Sequence, residues 1–129
     1  MTAQIPEVLR FESREHPMCT EPLEDYFELG GRKSPFASYC TANWRGYIGT
    51  WEVRGQRLYL VGLEGRSGEG AELTLVSLFP GHGSRVYAHW YSGTVRLPEG
   101  KLLKYFHGGY GSTYERDRLL RFDKGVLVE

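Results

Sequence analysis

W-R-G-Y-I-G-T-W-E-V-R-G-Q-R-L-Y-L-V-G-L, residues 44–63, decides the fold class, because it reads as one β-hairpin. Gly55-Gln56 suits the two central positions of a tight type II′ turn, whose first residue needs positive φ and is therefore Gly. That turn sets Arg54 opposite Arg57, and the other pairs run outward from there. One face carries Val53 with Leu58, Trp51 with Leu60 and Gly49 with Gly62. The other carries Glu52 with Tyr59, Thr50 with Val61 and Ile48 with Leu63. A slip of one residue exchanges the two faces, so the apolar pattern itself selects this register. Two facing glycines predict a gap beside Trp51, filled by a ring such as that of Trp90 or by a ligand.

The rest of the composition points the same way. Six Phe, three Trp, nine Tyr and 17 Gly in 129 residues favour a mainly β fold over a helical one. That length suits one domain with a core of its own. The formal net charge is zero, so there is no global field to draw in nucleic acid or an anionic membrane. The charge is unevenly spread: residues 1–43 hold seven acids and four bases, residues 44–129 nine acids and twelve bases. An acidic N-terminal arm, 1–43, over an antiparallel β core, 44–129, is the expected division. No apolar run approaches the roughly 18 residues of a membrane span. The start, M-T-A-Q-I-P-E-V, has neither a basic region nor an apolar signal core, which predicts a cytoplasmic protein with Cys19 and Cys40 reduced.

Along the chain, Glu7–Ser13 alternates like a strand, and His16-Pro17 is expected to end it. T-E-P-L-E-D-Y-F-E-L-G-G predicts a short helix over Leu23–Leu29, with an early Pro, acids in the first turn and Gly after the end. Phe36–Cys40 reads as a short extended piece. Ala71–Phe79 is apolar at nearly every position and predicts a central strand covered on both faces. Arg85–Ser92 and Thr94–Leu97 alternate as strands, and Lys101–His107 is read as a further one. F-D-K-G-V, residues 122–126, predicts a three-residue hairpin with Gly125 in a bulge, pairing Phe122 with Val126 and Leu120 with Val128. The sum is an antiparallel meander of about seven to nine strands, closed as a barrel or folded as a sandwich, with at most one short helix near the N-terminus.

Chemistry is thin by comparison. His107–Glu115, H-G-G-Y-G-S-T-Y-E, combines glycines that let backbone amides approach a ligand with the polar groups of His107, Tyr110, Ser112, Tyr114 and Glu115. It lacks the spacing of a phosphate loop or a dinucleotide fingerprint, and Gly and Ser are also what ordinary strand connections are made of. His16, His82, His89 and His107 show no metal-ligand spacing, so no metal or other cofactor is expected. Ser84 and Ser112 lie outside a nucleophile-elbow context. Glu115 and Asp117 share a strand face as paired carboxylates would, but Arg116 and Arg118 alternate with them, the pattern of a salt-bridged surface. Aromatic and arginine side chains interleave on the predicted strands as in a stacking platform, yet without a cationic cluster they read as packing, and no nucleic acid is expected.

The pieces A-N-W-R-G-Y-I-G-T-W-E-V (42–53), W-Y-S-G (90–93), P-E-G-K-L-L-K-Y (98–105) and G-Y-G-S-T-Y-E (109–115) resemble a family of small bacterial proteins of the cytoplasm known only as hypothetical proteins. The resemblance covers about the C-terminal two thirds and implies a soluble, stand-alone bacterial domain. It supplies no reaction, ligand or catalytic residue. The expected function is a non-enzymatic binding or protein-interaction module for a protein or small-molecule partner. It would act as a monomer or weak homodimer with no membrane attachment. The contact surface would comprise His107, Tyr110, Ser112, Tyr114 and Glu115 together with Trp44, Tyr47 and Trp90. Two alternatives remain open: a small hydrolase or isomerase using His107 or His89 with Glu115, and an immunity- or antitoxin-like partner protein.

Overall fold

Gly55 and Gln56 both have positive φ, +58° and +64°, so the central hairpin turns through a type I′ rather than a type II′ loop. Its strands are β3 (Tyr47–Arg54) and β4 (Arg57–Arg66). Near the turn the register follows the apolar pattern, with Arg54 opposite Arg57, Val53 opposite Leu58 and Trp51 opposite Leu60. A bulge between Thr50 and Trp51 then moves it by one, pairing Thr50 with Gly62, Gly49 with Leu63 and Ile48 with Glu64. The expected Gly49–Gly62 pair is therefore absent. The extra residue keeps Gly49, Trp51, Leu60 and Leu63 all pointing inward, which a regular ladder cannot do.

The computed structural model describes residues 4–31, 33–38, 42–104 and 113–128, with the backbone alone for 100–104 and 113–115. The remaining elements are β1 (Glu7–Phe11), β2 (Arg14–Met18), α1 (Pro22–Leu29), β5 (Glu72–Leu73), α2 (Leu75–Leu78), β6 (Val86–Tyr87), β7 (Gly93–Lys104), β8 (Thr113–Asp123) and β9 (Val126–Leu127). The strands form one sheet in the order β2-β1-β3-β4-β9-β8-β7, with β5 and β6 also on β4. Beyond β2, the Cys19 N–H donates to the Arg96 carbonyl at 2.9 Å, and the Arg96 N–H to the Thr20 hydroxyl at 3.3 Å. These bonds bring the two ends of the sheet together into a nearly closed barrel.

Several expectations change in this frame. β1 and β2 lie in the sheet rather than over it, and β1 runs parallel to β3, the departure from a pure meander. Pro17 does not end a strand. It stands opposite Val8 on β2, at the end of the strand order, where a missing N–H is tolerated. Ala71–Phe79 is not one central strand, because Thr74 and Ser77 form a capping box that starts α2, in which the Thr74 N–H donates to Ser77 Oγ at 3.0 Å; the Ser77 N–H also closes the first backbone turn on the Thr74 carbonyl at 3.1 Å. Val76 is exposed as a result. Strand structure in 85–92 is confined to Val86–Tyr87. The last hairpin turns at Lys124 and Gly125, both with positive φ, and pairs Asp123 with Val126 and Phe122 with Leu127. It is a two-residue loop, and Gly125 must be Gly because an added Cβ would lie 2.5 Å from the Ala88 carbonyl oxygen.

Inside the barrel lie Leu9, Met18, Trp51, Leu58, Leu60, Val95, Leu97, Leu120 and Phe122. Helix α1 contributes Leu23 and Phe27 to the same core. Around Trp90, the rings of Tyr26, Phe79 and Trp51 lie 4.9, 6.1 and 6.5 Å away, centre to centre, and the Trp90 indole N–H donates to the Pro22 carbonyl at 2.8 Å. This aromatic cluster joins α1 and the segment after α2 to the barrel.

Left-handed backbone at Gln56 costs an L-residue about 1 kcal/mol or more. Gln56→Gly is therefore expected to raise stability by about 1 kcal/mol in urea unfolding. A type II′ turn, with ordinary φ at that position, would make the same change destabilising.

Candidate functional site

A strand beginning with a carboxylate on its inward face needs a cation and donors inside the barrel, and this sequence supplies them from the stretch around Trp44–Trp51. The Glu7 side chain is fully buried. Its Oε2 accepts from Arg45 Nη2 at 2.6 Å, from Arg45 Nε at 3.2 Å and from the Gly49 N–H at 2.7 Å. Its Oε1 accepts from the Trp51 indole N–H at 3.1 Å. The Arg45 side chain is only 4% exposed and also donates to the Ile5 carbonyl at 2.8 Å, with Glu21 at 3.6 Å. A Cβ on Gly49 would stand 2.5 Å from Glu7 Oε1 and 2.9 Å from the Trp51 indole nitrogen. The room beside Trp51 thus comes from Gly49 without Gly62, and the Glu7 carboxylate, in place of the expected ring or ligand, fills it.

Burial pushes the Glu7 carboxyl up to about 7, opposed by Arg45 and by the Gly49 and Trp51 donors. Next to this pair, Tyr47 is fully buried with its ring beside the Arg45 guanidinium, 5.3 Å from carbon to ring centre. Its hydroxyl donates to Glu24 Oε2 on α1 at 2.6 Å. Burial and the carboxylates of Glu7 and Glu24 keep that phenol protonated far above its ordinary range. Both Glu7 oxygens are taken up by protein donors, so the cluster holds β1, β3 and the 42–46 segment together rather than presenting a free acid or base.

Several clefts open on the outside of the barrel. One, about 490 Å³, is lined by Ile48, Glu64, Gly65, Arg66 and Glu72. A second, about 370 Å³, lies along the β1–β2 turn, lined by residues from Arg10 to Glu15 with Glu52 and Val53. A smaller depression, about 290 Å³, is bounded by Asp25, Glu28, Leu29 and Trp90. Burial and then the neighbouring Glu28 raise the Asp25 carboxyl above the usual range.

Of the residues expected from sequence to form a contact surface, Trp44 is 47% exposed, Tyr47 is fully buried and Trp90 is half-buried in the aromatic cluster. Tyr47 is thus corrected from a surface residue to a core one, because its hydroxyl has an acidic partner on α1. His107, Tyr110 and Ser112 lie outside the described residues, and Tyr114 and Glu115 are placed on β8 by backbone alone. His89 is exposed and its ring lies 5.6 Å from that of Trp90. Glu7 and Arg45 were missed as a pair, since 38 residues separate them and each sits in a stretch that reads as ordinary surface alternation. Among the described residues no group of three or more His, Cys, Asp or Glu is arranged to hold a metal ion, and no helix is long and apolar enough to cross a membrane. No protein-family model, curated protein or solved structure matches this chain.

Glu7→Gln keeps the shape but sets an amide NH2 against N–H donors of Arg45, Gly49 or Trp51, leaving at least one of them buried and unpaired. The expected cost is about 1–3 kcal/mol. The pH dependence has a definite sign. A carboxyl raised from 4.5 in the unfolded chain to about 7 when folded binds its proton more tightly in the native state. Its contribution is complete below pH 4.5 and is lost as pH rises through 7. Urea midpoints at pH 5 and pH 7.5 should therefore fall with rising pH by more in the wild type than in Glu7→Gln; equal slopes would remove Glu7 as the source.

Proposed function

We propose that this protein is a non-enzymatic binding module of the cytoplasm that engages a partner protein through the surface around Trp44. The observation that carries this reading is the exposure of two large apolar side chains, Trp44 and Ile5, each on backbone tied to the segments that hold the buried ion pair. The Trp44 N–H donates to Gln4 Oε1 at 2.6 Å, the Ile5 N–H to the Ala42 carbonyl at 2.7 Å, and Arg45 to the Ile5 carbonyl at 2.8 Å. Side chains presented from a fixed backbone lose little entropy on binding, and Trp is among the residues that most often dominate interface energetics. A barrel interior packed with side chains, and a buried carboxylate whose oxygens are both engaged, support recognition on the outer surface instead of chemistry within. Among the described residues nothing favours the hydrolase or isomerase reading with His107 or His89 and Glu115, of which only His89 has a described side chain.

The test places a photo-crosslinking amino acid at Trp44 and, as a control, at exposed His89, in the protein's own host. A discrete adduct at position 44 that disappears with Ile5→Asp, while the melting temperature moves by no more than a few degrees, is the expected result. Labelling at 44 no stronger than at 89 would reject this surface.

A further inference from the structure

The β7–β8 pair runs in constant register from Gly93 opposite Phe122 to Glu99 opposite Arg116, and continues to Lys104 opposite Thr113. On its other side β8 meets β9 only at its end, where Phe122 and Asp123 pair with Leu127 and Val126. The Val128 N–H then donates to the Arg121 carbonyl at 2.9 Å. Among the described residues no strand pairs with that side of β8 before Arg121. In an antiparallel ladder the N–H and C=O of one residue point to the same side, and alternate residues point oppositely. Since Arg121 faces the β9 side, Leu119, Asp117 and Glu115 offer their backbone groups to the same open edge. Arg116, Arg118 and Leu120 turn theirs toward β7. The two register irregularities fall between Glu99 and Lys104 on β7 and leave Arg116–Phe122 of β8 regular.

Such an edge invites either a second copy or another protein's strand. The charges of E-R-D-R, residues 115–118, decide between them. Two identical antiparallel strands meeting at one edge must set edge-facing residues against edge-facing residues. Acids occupy the edge-facing positions 115 and 117, and bases the alternate positions 116 and 118. Self-pairing centred on Asp117 puts it opposite its own copy and Arg116 opposite Arg118. Centring on Arg116 puts Arg against Arg, and Glu115 against Asp117. Like charges directly opposite one another are destabilising, so this edge rejects its own copy.

We propose that the open edge of β8, residues 115–119, docks an extended segment of another protein that carries basic side chains on one face and acidic side chains on the other. An antiparallel occupant would read apolar-acid-base-acid-base, setting an apolar residue opposite Leu119, acids opposite Arg118 and Arg116, and bases opposite Asp117 and Glu115. Leu119 is 60% exposed and fits the apolar end of that pattern. On the β7 side the same charges already alternate in sign, with Arg116 3.4 Å from Glu99 and Arg96 2.9 Å from Asp117. The docked strand extends that alternation to one more row. Main-chain bonds supply affinity and the charge phase supplies selectivity.

The probe is the peptide acetyl-T-L-E-K-E-K-T-amide, added to the full-length protein and compared with acetyl-T-L-K-K-E-E-T-amide, which has the same composition without the alternation. The alternating peptide is expected to bind at least tenfold more tightly, to weaken with added salt, and to slow amide hydrogen exchange at Glu115, Asp117 and Leu119 but not at Arg116 or Arg118. Equal affinities, or protection elsewhere, would overturn the proposal. The wild-type chain is expected to sediment as a monomer, or at most to self-associate without protecting those three amides. Arg116→Thr with Asp117→Thr should begin to self-associate through the edge. A wild-type dimer that protects those same amides would also overturn the proposal. The peptide comparison uses wild-type protein, so it stands whether or not the double variant folds, and it is independent of any result at Trp44.

Discussion

One carboxylate dictates much of the architecture. Glu7 is buried at the start of β1, and a buried charge is tolerated only where its counter-ion and hydrogen bonds are supplied. Arg45, the Gly49 N–H and the Trp51 indole supply them, all from the stretch that leads into and forms β3. The carboxylate occupies the space beside Gly49 that any other side chain would fill. Arg45 in turn bonds the Ile5 carbonyl, so the entry to β1 and the segment before β3 are held as one unit. The parallel β1–β3 pairing, the bulge at Thr50/Trp51 and the exposed Trp44 all lie within a few residues of this contact.

From that contact outward, polarity is handed along the molecule. Tyr47 carries the cluster to Glu24 on α1, and α1 meets the aromatic group of Tyr26, Phe79 and Trp90. At the other end of β1, the β1–β2 turn is tied to the far side of the sheet. There Glu12 accepts from both terminal nitrogens of Arg118, whose guanidinium lies over the Phe11 ring, 4.8 Å from its centre. The Arg118 hydrogen bonds hold the exposed Glu12 carboxyl below its usual range. A surface pair of this kind contributes little to stability, but it fixes how the turn meets β8. Ion pairs therefore act differently in the two places. The buried one decides which strands are neighbours, and the exposed ones set the charge phase of the outer strand.

How far the sequence could be read depended on the range of the interaction concerned. The hairpin of β3 and β4 was legible near its turn because alternation and turn length are local, and those pairs stand as read. The turn type was not, because a Gly at the first central position fits both II′ and I′, and only the backbone at Gln56 distinguishes them. Ala71–Phe79 misled because its apolar residues count equally for a strand and for a buried turn of helix. The local signal that separates them is the Thr74-x-x-Ser77 capping pair, and it was there to be used. Trp44, Tyr47 and Trp90 were singled out as aromatic, but composition carries no information about exposure. A hydroxyl partner on α1 drew Tyr47 inside, and a carbonyl of α1 fixed the Trp90 indole.

The sequence by itself determined a mainly β domain, a short N-terminal helix and the central hairpin, because propensity, alternation and turn chemistry act over a few residues. It also determined the charge alternation of residues 115–118, which can be read off the chain but has no meaning until an edge is assigned. Tertiary structure alone decided that β1 lies parallel to β3, that the sheet curls into a nearly closed barrel and that the room beside Trp51 belongs to Glu7. It alone decided which side of β8 is open. The physical reason is the same in each case. A buried carboxylate must find its donors wherever the chain can bring them, and here they lie 38 to 44 residues away, beyond the reach of any local pattern.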